Sequence, residues 1–130
     1  MTALSVEHAL QLVRRVHHEA AERSMPVAVV VVDQGGHLVA AARSSSLGFV
    51  ATDFARRKAI ASATFGASTQ SLTESFGQDP LLPGAFTGSP DVSLLPGGFP
   101  VVVDGTCVGG MGISGGHYSQ DHAVGAAALT

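Results

Sequence analysis

GGMGISGGHYSQDH, residues 109–122, places glycines at 110, 112 and 115 in the spacing G-x-G-x-x-G. Two folds compete for it. A dinucleotide fingerprint closes the first strand of a βαβ unit and opens its helix. An acidic residue about twenty positions later then holds the ribose. The sequence ends at Thr130, which leaves room for neither a second strand nor that acid, so the expectation is not a parallel Rossmann sheet. The other reading is a strand whose glycines admit a tight bend or the close approach of something else.

The neighbouring segments favour antiparallel pairing. Upstream, FPVVVDGTCVGG alternates and turns at Asp104-Gly105, a strong hairpin signal. Downstream, Ser119 can cap a short helix, QDHAVGAAAL. Two β-rich runs in VAVVVVDQGGHLVAAAR, residues 27–43, flank Asp33-Gln34-Gly35-Gly36 and read as a second hairpin. Its first run is apolar on both faces, as a central strand requires. Ser5 can cap a helix to about Arg23, in which Val6, Ala9, Leu10, Val13, Val16, Ala20 and Ala21 recur at helical spacing. A further helix is expected from about Thr52 to Thr69, with Ala55, Lys58, Ala59, Ala61 and Ser62 on a face of mostly small residues. Residues 70–98 carry four prolines and five glycines and read as a long excursion, either a binding loop or a poorly ordered one. The order helix, hairpin, helix, loop, hairpin, helix predicts one α+β domain, residues 1–130, with an antiparallel sheet.

Apolar residues make up 45% of the chain and charged residues 13%, against a usual charged share of about a quarter. So little charge points to a surface partly covered by another subunit. A net charge of −3 with Lys58 as the one lysine argues against a nucleic-acid partner. No apolar run approaches the ~18 residues of a membrane span and no leader is evident, so a cytoplasmic protein is expected. Cys107, the single cysteine, excludes an internal disulfide.

VVDQGGHLVAAAR, ARRKAIASATFGAST, PGGFPVVVDGTCVGGMGISGG and QDHAVGAAAL together resemble the GlcG/HbpS family, which includes the C-terminal domain of PduO-type proteins. The resemblance spans nearly the whole chain in order and spacing. It implies a profilin-like α+β fold, a five-stranded antiparallel sheet packed with helices, a homo-oligomer, and binding of haem or a related tetrapyrrole. It also implies that the glycines loosen a sheet edge before the last helix, where Gly115 and Gly116 receive a flat ligand or a neighbouring backbone. The chain departs from the pattern in two places. Ser44-Ser45-Ser46 stands where most members carry a Met-Asp-Gly-like segment, and Lys58-Ala59-Ile60-Ala61-Ser62 lacks the family threonine.

Haem requires an axial ligand, an apolar slot and cations for its propionates. His17 and His18 are the candidate iron ligands, with Arg43, Gly115 and Gly116 as further cofactor contacts. Otherwise His17 is a core histidine satisfied by a carbonyl and His18 a solvated one. Lys58, on the small-residue face, should find a carboxylate or an anion, with Asp33, Arg43 and Asp121 as companions in a salt-bridge network or an anion site. A rival reading needs no cofactor. His117 is then the general base of an isomerase, cyclase or dehydratase, Asp121 orients it, and Arg43 or Lys58 stabilises an oxyanion. A structural or regulatory interaction protein is the third possibility.

Overall fold

The computed structural model describes residues 3–130. Helix α1 (Val6–Glu22) opens at Ser5, whose Oγ accepts the His8 N–H at 3.0 Å. Strands β1 (Ala28–Asp33) and β2 (Leu38–Arg43) form the first hairpin. Helix α2 (Phe49–Phe65) follows, then α3 (Thr69–Phe76), α4 (Leu82–Phe86), the hairpin β3 (Gly98–Val103) and β4 (Thr106–Ser114), and α5 (Tyr118–Ala128). Every pairing is antiparallel and the strand order is β2-β1-β4-β3. Asp104 and Gly105 both take positive φ, 51° and 77°, as the mirror-image turns that match strand twist require.

The sheet is covered on both faces. Val29 and Val31 of β1, Met111 and Ile113 of β4 and Phe99 and Val101 of β3 pack with α1 and α5. On the opposite face, Ala28, Val30 and Val32 pack with Ala55, Ala59 and Ala63 of α2. Burying each β1 valine stabilises the fold by roughly 2 kcal/mol relative to leaving it exposed. Among the described residues no helix is long and apolar enough to cross a membrane.

The glycine-rich stretch has a different setting from the expected one. β4 lies inside the sheet, not at its edge, between β1 and β3. Gly112 and Gly110 pair with Val30 and Val32, and a Cβ on either glycine would fall on the carbonyl oxygen of Ala55 or Ala59. The backbone that these glycines admit is that of α2. Alanines on the helix and glycines on the strand bring the two into direct backbone contact.

Four strands, not five, are present among the described residues. The 70–98 excursion yields α3 and α4 instead of a strand, since its prolines and glycines interrupt any extended run. Helix α2 starts three residues earlier than expected and stops at Phe65, because Gly66 takes the left-handed conformation, φ 68°. Ser68 then caps α3 separately. The cap of α5 is His117, not Ser119. The imidazole accepts the Ser119 N–H, and Gln120 returns a bond to the His117 N–H.

Candidate functional site

The C-terminal ends of β2 and β4 and the start of β1 meet at one end of the sheet, where Arg43, Ala28 and Ser114 are in register. Beneath this end is the buried pair Lys58–Asp121, with the two residues 2% and 1% exposed. Lys58 Nζ donates to the Ile113 carbonyl at 2.8 Å and to Asp121 Oδ2 at 3.1 Å. Asp121 Oδ1 accepts the Gly116 N–H at 3.0 Å. The pair therefore ties α2, β4 and α5 together. Burial pushes the Lys58 ammonium below its ordinary range, with Asp121 opposing. Burial also raises the Asp121 carboxyl, against the pull of Lys58 and the Gly116 N–H. Gly97 covers the ammonium: φ there is 124°, and a Cβ would stand 2.9 Å from Lys58 Nζ.

One residue earlier on α2, Arg57 faces a cavity of about 510 Å³ under the 69–96 segment. Phe54, Phe76, Phe86, Leu94 and Tyr118 contribute apolar walls, and Thr73 and Ser93 bring hydroxyls. Phe86 stacks on Phe76 with centroids 5.8 Å apart, and both meet Phe65 edge-on at 5.9 and 5.5 Å, which anchors the short α4 on its neighbours. The Thr73 hydroxyl donates to the Leu94 carbonyl and ties α3 to the loop. Arg57 places its guanidinium 4.0 Å above the Phe54 ring. Its Nε is buried without a hydrogen-bond partner, although Asp53 Oδ2 is 3.3 Å away.

The residues proposed from sequence are divided among several places. Lys58 and Asp121 meet, while Asp33 binds the His37 and Gly35 N–H groups at the far hairpin. Arg43 donates to the Ser44 and Leu47 carbonyls. His117 lies against Tyr118, ring centroids 4.0 Å apart and planes tilted by 36°, while its Nδ1 caps α5. The Asp121 carboxylate engages Lys58 and Gly116, not an imidazole. Gly115 and Gly116 line a hollow of about 410 Å³ with Arg23, Met25 and Gln120. His17 Nε2 is 2.9 Å from the Ala42 carbonyl. His18 is exposed, with Nε2 3.4 Å from Glu22 Oε1, and borders a groove between α1 and α5 with Arg14, Arg15 and Ala128.

Among the hollows described, that last groove brings a histidine donor and two arginines together over a small-residue floor of Ala127 and Ala128, with Glu19 beside them, a set that fits haem. No histidine lines the 510 Å³ cavity. Sequence reading passed over Arg57 and the walls Phe76 and Phe86. Two phenylalanines in an irregular, proline-rich stretch were the available signal.

Comparison with known proteins agrees with this architecture. The family described as haem degrading protein HbpS-like matches residues 4–130. Protein GlcG of Escherichia coli is 33% identical over 111 residues, 85% of this chain and 81% of the relative. The corrinoid adenosyltransferase PduO of Salmonella typhimurium is 30% identical over 125 residues, 92% of this chain but 36% of that longer protein. Among solved structures, a PduOC–haem complex superimposes with a TM-score of 0.88 at 29% identity, covering 98% of this chain and 94% of the other. A double mutant of HbpS from Streptomyces reticuli gives 0.86 at 28% identity, covering 98% and 86%. The chain belongs to the HbpS-like family.

Proposed function

We propose that this protein binds haem or a related tetrapyrrole on the outer face of α1, with His18 as axial ligand and Arg14 and Arg15 meeting the propionates. The observation that carries the reading is that His18 stands exposed in one groove with both guanidiniums. The relative PduOC has been crystallised as a haem complex, which supports the same ligand class. Bound there, haem would supply redox or oxygen chemistry of the kind the family description implies. The chain's own part is to hold the ring. His18 supplies an imidazole nitrogen, the arginines orient the carboxylates, and the alanines of α5 let the macrocycle lie close.

A groove so open is completed by a second copy in this reading, as a homo-oligomer. Leu38, Phe49 and Val50 are exposed apolar residues on β2 and the start of α2, a further surface that self-association would cover. The acid–base alternative draws less support, because His117 Nδ1 is occupied as a cap and Asp121 as a lysine partner.

Haemin titration followed in the visible region tests the proposal. The wild type should develop a shifted Soret band, His18→Ala should lose it, and His17→Ala should keep it. No Soret shift at micromolar haemin, or an unchanged spectrum in His18→Ala, would refute it.

A further inference from the structure

We infer that the cavity beneath α3 and α4 is a second ligand site, independent of haem, for a small apolar monocarboxylate whose charged end meets Arg57. Its volume, about 510 Å³, lies within the usual range for small-molecule sites, roughly 300–1,000 Å³. Its walls are aromatic and aliphatic, with one cation among them. Such a pairing of a large apolar surface with one fixed charge selects an amphiphilic anion over a sugar or a polyanion.

The neighbouring arginine shows that Arg57 is set aside. Arg56 donates to Asp53 at 3.1 and 3.3 Å, to Asp91 at 3.1 Å and to the Pro90 carbonyl at 2.8 Å. It therefore clamps the 90–91 turn onto α2 and takes Asp53 Oδ1. Arg57 is left with Asp53 Oδ2 at 3.3 Å from an Nε that forms no hydrogen bond. Stacking on Phe54 occupies the face of the guanidinium, while its N–H groups lie in the plane of the fork, the geometry that a carboxylate accepts in bidentate fashion. The uncharged lining beyond, from Phe76, Phe86, Leu94 and Tyr118, suits a short aliphatic or aromatic body.

The chain has one tyrosine and no tryptophan, and Tyr118 lines this cavity, so its fluorescence follows occupancy in the absence of haem. The probes are cyclohexanecarboxylate, its uncharged carboxamide, and acetate, each titrated by fluorescence and calorimetry. Cyclohexanecarboxylate should bind wild-type protein at least about tenfold more tightly than the amide, since hydrogen bonds to charged groups carry that much, and at least about tenfold more tightly than acetate, since burying the ring carries as much. Arg57→Gln should remove the preference for acid over amide. Phe86→Ala, which leaves the cation in place, should weaken acid and amide alike. The same titrations in His18→Ala should be unchanged, which separates this site from the haem reading. Equal affinity of the wild type for acid and amide would overturn the inference even if Arg57→Gln failed to fold. Displacement of cyclohexanecarboxylate by haemin in His18→Ala would overturn it too, by assigning the Arg57 site to a tetrapyrrole propionate.

Discussion

Arg57 and Lys58 are consecutive on α2, and the structure treats the two cations in opposite ways. Lys58 turns toward the sheet, is sealed under Gly97, and meets two oxygens within 3.1 Å. Arg57 turns toward the aromatic cavity, where its Nε has no partner. The difference separates the roles of the two regions. Where α2 presses on β4, the Lys58 ammonium is matched inside the chain and closed off from any ligand. Under α3 and α4, packing stops short, and a cation whose one ion pair is to Asp53, at 3.3 Å, borders open volume. A buried and matched charge fastens elements together, whereas a charge left with unmatched donors in an apolar hollow is available to bind.

Breaking the matched region should have the largest effect. Asp121→Ala strands a buried ammonium and should cost about 3–5 kcal/mol, read from urea unfolding. Replacing both partners with apolar residues, Lys58→Met with Asp121→Leu, should recover most of that loss. This pair also carries a pH signature. Asp121, raised above its ordinary 3.8, contributes in full below that value and loses its contribution as pH rises through the folded value. Lys58, lowered from 10.5, contributes in full above that value and loses its contribution as pH falls through the folded one. Both are unfavourably charged between these limits, so the double variant should compare best with wild type near neutral pH. A stability difference between the two that does not vary with pH would contradict the assignment.

The glycine seam should come next. Gly112→Ala drives a methyl into the Ala55 carbonyl and should cost about 1–3 kcal/mol by overpacking, whereas Gly48→Ala, with nothing within 4 Å of its Cβ, should be nearly silent. Equal costs at the two sites would mean that α2 does not bear on β4. The smallest stability effect belongs to the cavity. Arg57→Gln removes a partly exposed ion pair with Asp53 and the guanidinium's contact with Phe54 and should change unfolding by about 1–2 kcal/mol. A loss as large as that of Asp121→Ala would place Arg57 in the structural network and dissolve the contrast.

Periodicity and turn chemistry were enough to reveal α1, both hairpins and the antiparallel sheet, since their signals are local. The valine run of β1 announced a strand covered on both faces, and it is indeed interior. Lys58 was recognisable as a buried-side cation because it interrupts a face of small residues. Its partner was not singled out, because Asp121 lies 63 positions away and residue spacing along a chain carries no distance across a fold. His117 as a cap was hidden for another reason: serine is the commoner N-cap, and Ser119 stood two residues on. The excursion's two short helices and the cavity they roof were illegible, because five- and eight-residue helices depend on tertiary contacts rather than propensity.

The order and type of the main elements, the family, and the need for close backbone approach at the glycines were all determined by the amino-acid sequence alone. Each depends on residues near one another in the chain. Only the three-dimensional structure decided what approaches those glycines, which carboxylate neutralises Lys58, and that Arg57 borders an apolar hollow. These are long-range matters, settled when α2 docks on the sheet and the proline-rich segment folds over its other side.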